Sequence, residues 1–152
     1  MRPIDPWKGS ITKGEKSFLS HPKLISDSYW DSFEWLRDLR EIANEKARIV
    51  SRSLVDEWHL QNSSWDDKTW SPRLIGNRLS NILFCYGTFA DTADNEFQNR
   101  LMKQFASQAR YLELEWKNFE NHSDRLYALL GLMSGRVCLT KQKDEIDYII
   151  EV

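Results

Sequence analysis

Apolar residues recur at every third or fourth position along most of this chain, and this spacing restricts the fold more than any other feature. It is the spacing of one helix face, whereas the apolar–polar alternation of a half-buried strand is absent. Because the polar connections between periodic segments are short, successive helices should pack as antiparallel hairpins, and we predict an all-α fold. The predicted helices cover about 29–42, 45–61, 72–89, 96–119 and 126–139, and a last amphipathic stretch contains Ile146, Ile149 and Ile150.

The first 28 residues differ from the rest of the chain. They hold three of the four prolines and two of the six glycines, without clear hydrophobic periodicity. Since both residue types interrupt regular structure, we predict an irregular N-terminal arm over residues 1–28. It should pack on the helices through Trp7, Phe18 and Leu19, and residues 29–152 should form the helical domain.

The composition is that of a soluble globular domain. The chain has 152 residues, of which 41% are hydrophobic and 29% charged, so it can bury a core and is too apolar for disorder. A formal net charge of −2 gives no general basic field for nucleic acid. No apolar run approaches a membrane span, and the N-terminus lacks the layout of a secretory signal. We therefore predict a cytoplasmic protein without a membrane span or a nucleic-acid partner.

Metal and redox chemistry have little support in the sequence. The three histidines, His21, His59 and His122, are scattered and lack zinc-ligand spacing. Cys85 and Cys138 each lie in an apolar helical context, which is typical of reduced core thiols. We predict no metal and no cofactor.

The segment from Trp70 to Asn81 combines a helix start with polar groups. Ser71 is a helix-capping residue, and Pro72 suits a first turn. Arg78 and Asn81 are three residues apart and so share one helix face. In one interpretation they hold the bundle together, with Arg78 paired to a carboxylate such as Asp56 or Asp38. In the other, Arg78 and Asn81 bind a sugar carboxylate while Trp70 stacks on the sugar ring.

The same segment resembles a known family. Its pattern of Trp, Pro, Arg and Asn is similar to the N-terminal helical domain of the heparinase II/III-like polysaccharide lyases, which include alginate lyases. Phe33-Glu34-Trp35-Leu36-Arg37-Asp38-Leu39 and the run from Gln108 to Leu139, with Ala128-Leu129-Leu130-Gly131-Leu132-Met133-Ser134-Gly135, extend the resemblance over most of residues 27–139. It implies part of an (α/α) toroid and the β-elimination of uronic-acid polysaccharides.

The resemblance also implies where a lyase site would lie. Family members carry an Asn-His pair at the start of a toroid helix, and Asn121-His122 lies within one residue of that place. The alternative is that Asn121 caps a helix and His122 is an exposed turn residue. The Tyr and His residues that move protons in the family lie beyond the helices predicted here. We therefore expect no lyase activity from this chain alone.

The sequence leaves two hypotheses for the function of the chain, one as part of an enzyme and one as an interaction module. In the first, the chain is a truncated or split N-terminal portion of a lyase, whose partners are an acidic polysaccharide and a chain that continues the toroid. In the second, it is a non-catalytic helical interaction module or a self-associating scaffold. An incomplete toroid would leave apolar flanks exposed, and this predicts a partner, a continuation or a second copy.

Overall fold

The computed structural model describes Asp5 and residues 7–140, and within them every regular element is helical. The prediction of an all-α fold is confirmed. The amphipathic stretch at Ile146, Ile149 and Ile150 lies outside the described residues, and the toroid arrangement stays a prediction. No described helix has both the length and the apolar content needed to cross a membrane. The elements are α1 (Ile11–Leu19), a 3-10 turn (Pro22–Leu24), α2 (Asp27–Asp31), α3 (Glu34–Ile42), α4 (Glu45–Gln61), α5 (Pro72–Phe89), α6 (Asn95–Glu115) and α7 (His122–Thr140).

Local signals explain where the longer helices begin. Asn44 caps α4 by accepting a hydrogen bond from the Ala47 N–H at 2.8 Å, and Asp94 caps α6 through the Phe97 N–H at 2.7 Å. Helix α5 begins at Pro72, but its N-cap residue Ser71 makes no side-chain capping bond. The observed bounds of α4 and α5 match the predicted ones, whereas α6 ends at Glu115, four residues before the predicted end.

The N-terminal arm is more ordered than its composition suggests. Residues 11–19 form α1, which lies against α3, and Ser10 caps α1 through the Lys13 N–H. The Ser10 N–H in turn donates to Asp38 Oδ1 at 2.5 Å. A side chain at Gly14 would collide with the Asp38 carbonyl, so this glycine lets the two backbones approach closely. The arm is thus attached to α3 by backbone contacts that hydrophobic periodicity does not reveal.

The segment predicted as one helix over 29–42 is divided into α2 and α3. Phe33 separates them with a left-handed backbone, φ 61°, and its ring is fully buried between the rings of Trp35 and Trp58. Burying a Phe ring offsets the cost of this backbone conformation. The break also leaves the carbonyls of Asp31 and Ser32 free to accept hydrogen bonds from other parts of the chain.

The core surrounds α5, which packs against α2, α3, α4, α6 and α7. Its crossing with α7 is unusually close, because Gly76 and Gly131 face each other there. A Cβ atom on Gly131 would lie 3.1 Å from the Cα atom of Gly76, and one on Gly76 would collide with the Tyr127 carbonyl. Side chains cannot be accommodated between the two helices at this point.

We expect Gly76→Ala to lower the free energy of unfolding by about 1–3 kcal/mol, because the added methyl group forces α5 and α7 apart. Gly135→Ala is the matched control, since its Cβ would lie 3.3 Å from the Ala109 Cβ, a tight contact but a much milder one than the backbone collision at Gly76, and the change improves helix propensity. Urea denaturation of both variants measures the difference. Equal stabilities would contradict the close crossing.

Candidate functional site

Arg78 lies in the centre of the bundle and is fully buried. Its Nε donates to Gln108 Oε1 at 2.7 Å, its Nη2 to the Thr69 carbonyl at 3.0 Å, and its Nη1 to the Asp31 carbonyl. The guanidinium carbon also lies 4.1 Å from the centroid of the Trp58 ring, which is cation–π distance. The side chain that was predicted to bind a sugar carboxylate therefore donates its hydrogen bonds to other groups of the protein.

The carboxylate partners suggested for Arg78 from the sequence are wrong. Asp56 pairs with Arg100 at 3.0 Å, and Asp38 accepts a hydrogen bond from the Tyr29 hydroxyl. Carbonyl and amide oxygens take their place around the guanidinium. Burial lowers the pKa of Arg78 to about 9, so the group is still a cation at neutral pH.

Asn81 and Trp70 lie in the same interior region. The Asn81 Nδ2 donates to the Ser32 carbonyl at 2.8 Å, so Asn81 and Arg78 together bind the break between α2 and α3. Trp70 is 9% exposed, and its ring meets Tyr111 edge-on with centroids 5.6 Å apart. These contacts support the interpretation in which the polar residues of α5 hold the bundle together. In this structure neither Arg78 nor Asn81 presents a donor at the surface.

Asn121 and His122 lie elsewhere, at the exposed start of α7. The Asn121 Oδ1 accepts a hydrogen bond from the Ser123 N–H at 2.8 Å, and its carbonyl accepts one from the Arg125 N–H. This is the geometry of a helix cap. The structure therefore brings Arg78, Asn81 and Trp70 together in the interior but does not bring the Asn121-His122 pair to them.

Two further titratable groups are shielded from solvent: His59, which is partly buried, and Cys85, which is fully buried. Burial and the charge of Arg78 lower the pKa of His59 to about 4, so its ring is neutral at pH 7. Burial raises the pKa of the free Cys85 thiol to about 12, which makes it a poor nucleophile at neutral pH. Among the described residues no group of three or more metal-ligating side chains comes together.

A surface feature that the sequence did not predict lies on the outward side of α7. Leu126, Leu129, Met133 and Val137 are 68%, 40%, 68% and 47% exposed. The inward side of the same helix is formed by small residues, of which Gly131 lies at the crossing with α5 and Gly135 lies against Ala109 of α6: Ala128, Gly131, Ser134 and Gly135. We call the four exposed residues the α7 stripe. The spacing of the small residues, 128, 131 and 135, was the available sequence signal for which side faces inward.

Comparisons with protein-family models, with curated proteins and with solved structures gave no match to this chain. The resemblance to heparinase II/III-like lyases therefore rests on the residues quoted for it. Three of those residues, Trp70, Arg78 and Asn81, are buried in the bundle.

Because one lysine ammonium cannot reproduce the fork of donors on Arg78, we expect Arg78→Lys to lower the unfolding free energy by about 3 kcal/mol or more. Asn81→Ala leaves the buried Ser32 carbonyl without its donor and should cost about 1–3 kcal/mol. Arg48→Lys, at an exposed ion pair with Glu45, should change stability by less than about 0.5 kcal/mol. Denaturant titration gives all three values. Unchanged stability in Arg78→Lys would contradict the structural role.

His59 should make the fold sensitive to acid. Its pKa is about 4 in the folded protein against 6.5 for an unperturbed histidine, so unfolded chains take up the proton first as the pH falls. The stability present above pH 6.5 should decline between pH 6.5 and 4, by up to ~3 kcal/mol for a shift of this size. His59→Gln should flatten that part of the profile. Parallel profiles for wild type and His59→Gln in thermal melts would refute this role.

Proposed function

We propose that this chain is a non-catalytic helical interaction module that binds an amphipathic helix of another protein on the α7 stripe. The exposure of Leu126, Leu129, Met133 and Val137 is the observation that carries the proposal. Single exposed apolar residues are common, but a contiguous patch on the order of 400 Å² is typical of interaction sites. The four residues recur at three and four positions, so they form one such patch.

The two sides of α7 support this role in different ways. A helix with apolar residues all round is normally covered on every side, and among the described residues nothing covers the outward side. The inward side is held against α5 by the glycine crossing, which fixes the helix backbone. An apolar stripe on a fixed helix is the surface that a second amphipathic helix recognises.

The truncated-lyase hypothesis stays a prediction from the resemblance. Its proposed sugar contacts would need Arg78 and Asn81 at a surface, and their side chains bind the Asp31 and Ser32 carbonyls instead. The polar groups of α5 thus support the interaction module, in which they have only a structural role.

A photo-reactive amino acid at position 133 should trap a discrete product in cells, because a partner helix would lie against that side chain. Mass spectrometry of the cross-linked peptide should identify a segment with apolar residues at helical spacing. The matched position is Leu60 on α4, which is 81% exposed but outside the stripe and should give no such product. Leu126→Glu should abolish the product at position 133. Equal trapping at both positions, or trapping that survives Leu126→Glu, would contradict the proposal.

A further inference from the structure

We infer that the helix bound on the α7 stripe is acidic, with Asp or Glu side chains along both of its edges. This inference rests on the proposed function and adds the charge of the partner. It follows from the arginines that border the stripe on its two sides.

The first edge carries Arg125 and Arg136. Each immediately precedes a stripe residue, Leu126 or Val137, and a step of one residue turns a side chain by about 100° around the helix. Both arginines therefore lie on the same edge, and both are exposed. Arg125 donates through Nε to the Phe119 carbonyl at 2.6 Å, and no described carboxylate forms an ion pair with it.

The opposite edge carries Arg73. Tyr127 follows Leu126 by one residue and so lies on the other side of the stripe. The guanidinium of Arg73, from the first turn of α5, lies over the Tyr127 ring at 5.5 Å from its centroid. Arg73 is exposed, and it too has no ion pair with a described carboxylate. The contact with Tyr127 holds this positive charge beside the stripe.

Acidic residues are absent from these edges of α7. The helix contains one acidic residue, Asp124, which is two residues before Leu126 and so turned by about 200° from it. The apolar stripe is therefore bordered by positive charge on both sides. A partner helix with acidic edges would be attracted and oriented by this charge, whereas a basic helix would be repelled.

The same charges disfavour a second copy of the chain as the occupant. If two α7 helices packed antiparallel about a two-fold axis, the same edges would face each other. Each copy would then bring Arg125 to one rim and Arg73 to the other, and α7 has no acidic residue on either edge to meet them. An acidic partner of a different sequence supplies the carboxylates that a second copy lacks there.

Two fluorescein-labelled 18-residue peptides test the inference, with identical Leu and Ile positions at helical spacing and either Glu or Lys at every edge position. We expect the full chain to bind the Glu peptide at least tenfold more tightly than the Lys peptide in fluorescence anisotropy at low salt. Because exposed charges are screened, the difference should narrow as salt is added. Met133→Glu should weaken the Glu peptide at least tenfold, and circular dichroism verifies that this variant is folded.

Charge-reversed variants test whether the arginines at the two edges of the stripe determine the preference for the Glu peptide. Arg73→Glu combined with Arg125→Glu should reverse the preference, so that the Lys peptide binds more tightly. Lys46→Glu combined with Arg48→Glu makes the same change of net charge on α4, away from the stripe, and should leave the preference unchanged. A preference that follows net charge alone, and so is equally altered by this α4 double variant, would overturn the assignment to these edges.

The remaining outcomes separate the inference from the proposed function. Equal binding of both peptides, lost in Met133→Glu, would overturn the acidic partner and leave the interaction module intact. Self-association lost in Met133→Glu, without peptide binding, would make a second copy the occupant. Residues 141–152 contain four acidic residues as well as Ile146, Ile149 and Ile150. If this segment occupied the stripe, the Glu peptide would bind the Ile149→Asp variant and not the wild type. That result would overturn the assignment to another protein. No binding to any variant, with no self-association, would overturn both proposals.

Discussion

The buried guanidinium of Arg78 is the interaction on which the rest of the bundle depends. It joins the end of α2 through Asp31, the connection before α5 through Thr69, α6 through Gln108 and α4 through Trp58. A cation removed from water is costly unless its donors are satisfied, so the helices must all be in place before the charge is accommodated. Hydrophobic packing alone would permit neighbouring arrangements of the same helices. The arginine selects the one in which all its partners meet.

The left-handed backbone at Phe33 makes available the carbonyl groups that accept hydrogen bonds from Arg78 and Asn81. In a continuous helix, the Asp31 and Ser32 carbonyls would accept bonds from residues four positions later, and Arg78 and Asn81 would find no acceptors there. The break between α2 and α3 directs both carbonyls towards α5. The strained backbone and the buried charge are each unfavourable alone. Together they are compensated, because the break at Phe33 exposes a carbonyl acceptor and Arg78 donates to it.

Hydrophobic periodicity and capping residues predicted the fold class and the bounds of α4 and α5, because those signals are local. The division at Phe33 was missed because the apolar spacing of 30, 33, 36 and 39 is the same whether or not the helix is interrupted. Arg78 and Asn81 were recognised as a pair, but their environment depends on residues 9 to 49 positions away in the sequence. An arginine fork suits a sugar carboxylate and a set of backbone carbonyls equally well, so residue type could not distinguish them. For α7, apolar periodicity does not identify the inward side, because the glycine crossing brings small residues to the interior and leaves four of the large ones exposed.

The glycine crossing has a consequence for how the protein can change over evolutionary time. Because small residues form the contact with α5, the four large side chains of the α7 stripe contribute little to holding the bundle together. Substitutions on the outward side can therefore accumulate without loss of the fold, while Gly131 at the crossing leaves no room for a side chain. One helix thus separates two kinds of selection, and the sequence of its outward side can drift while the scaffold remains constant.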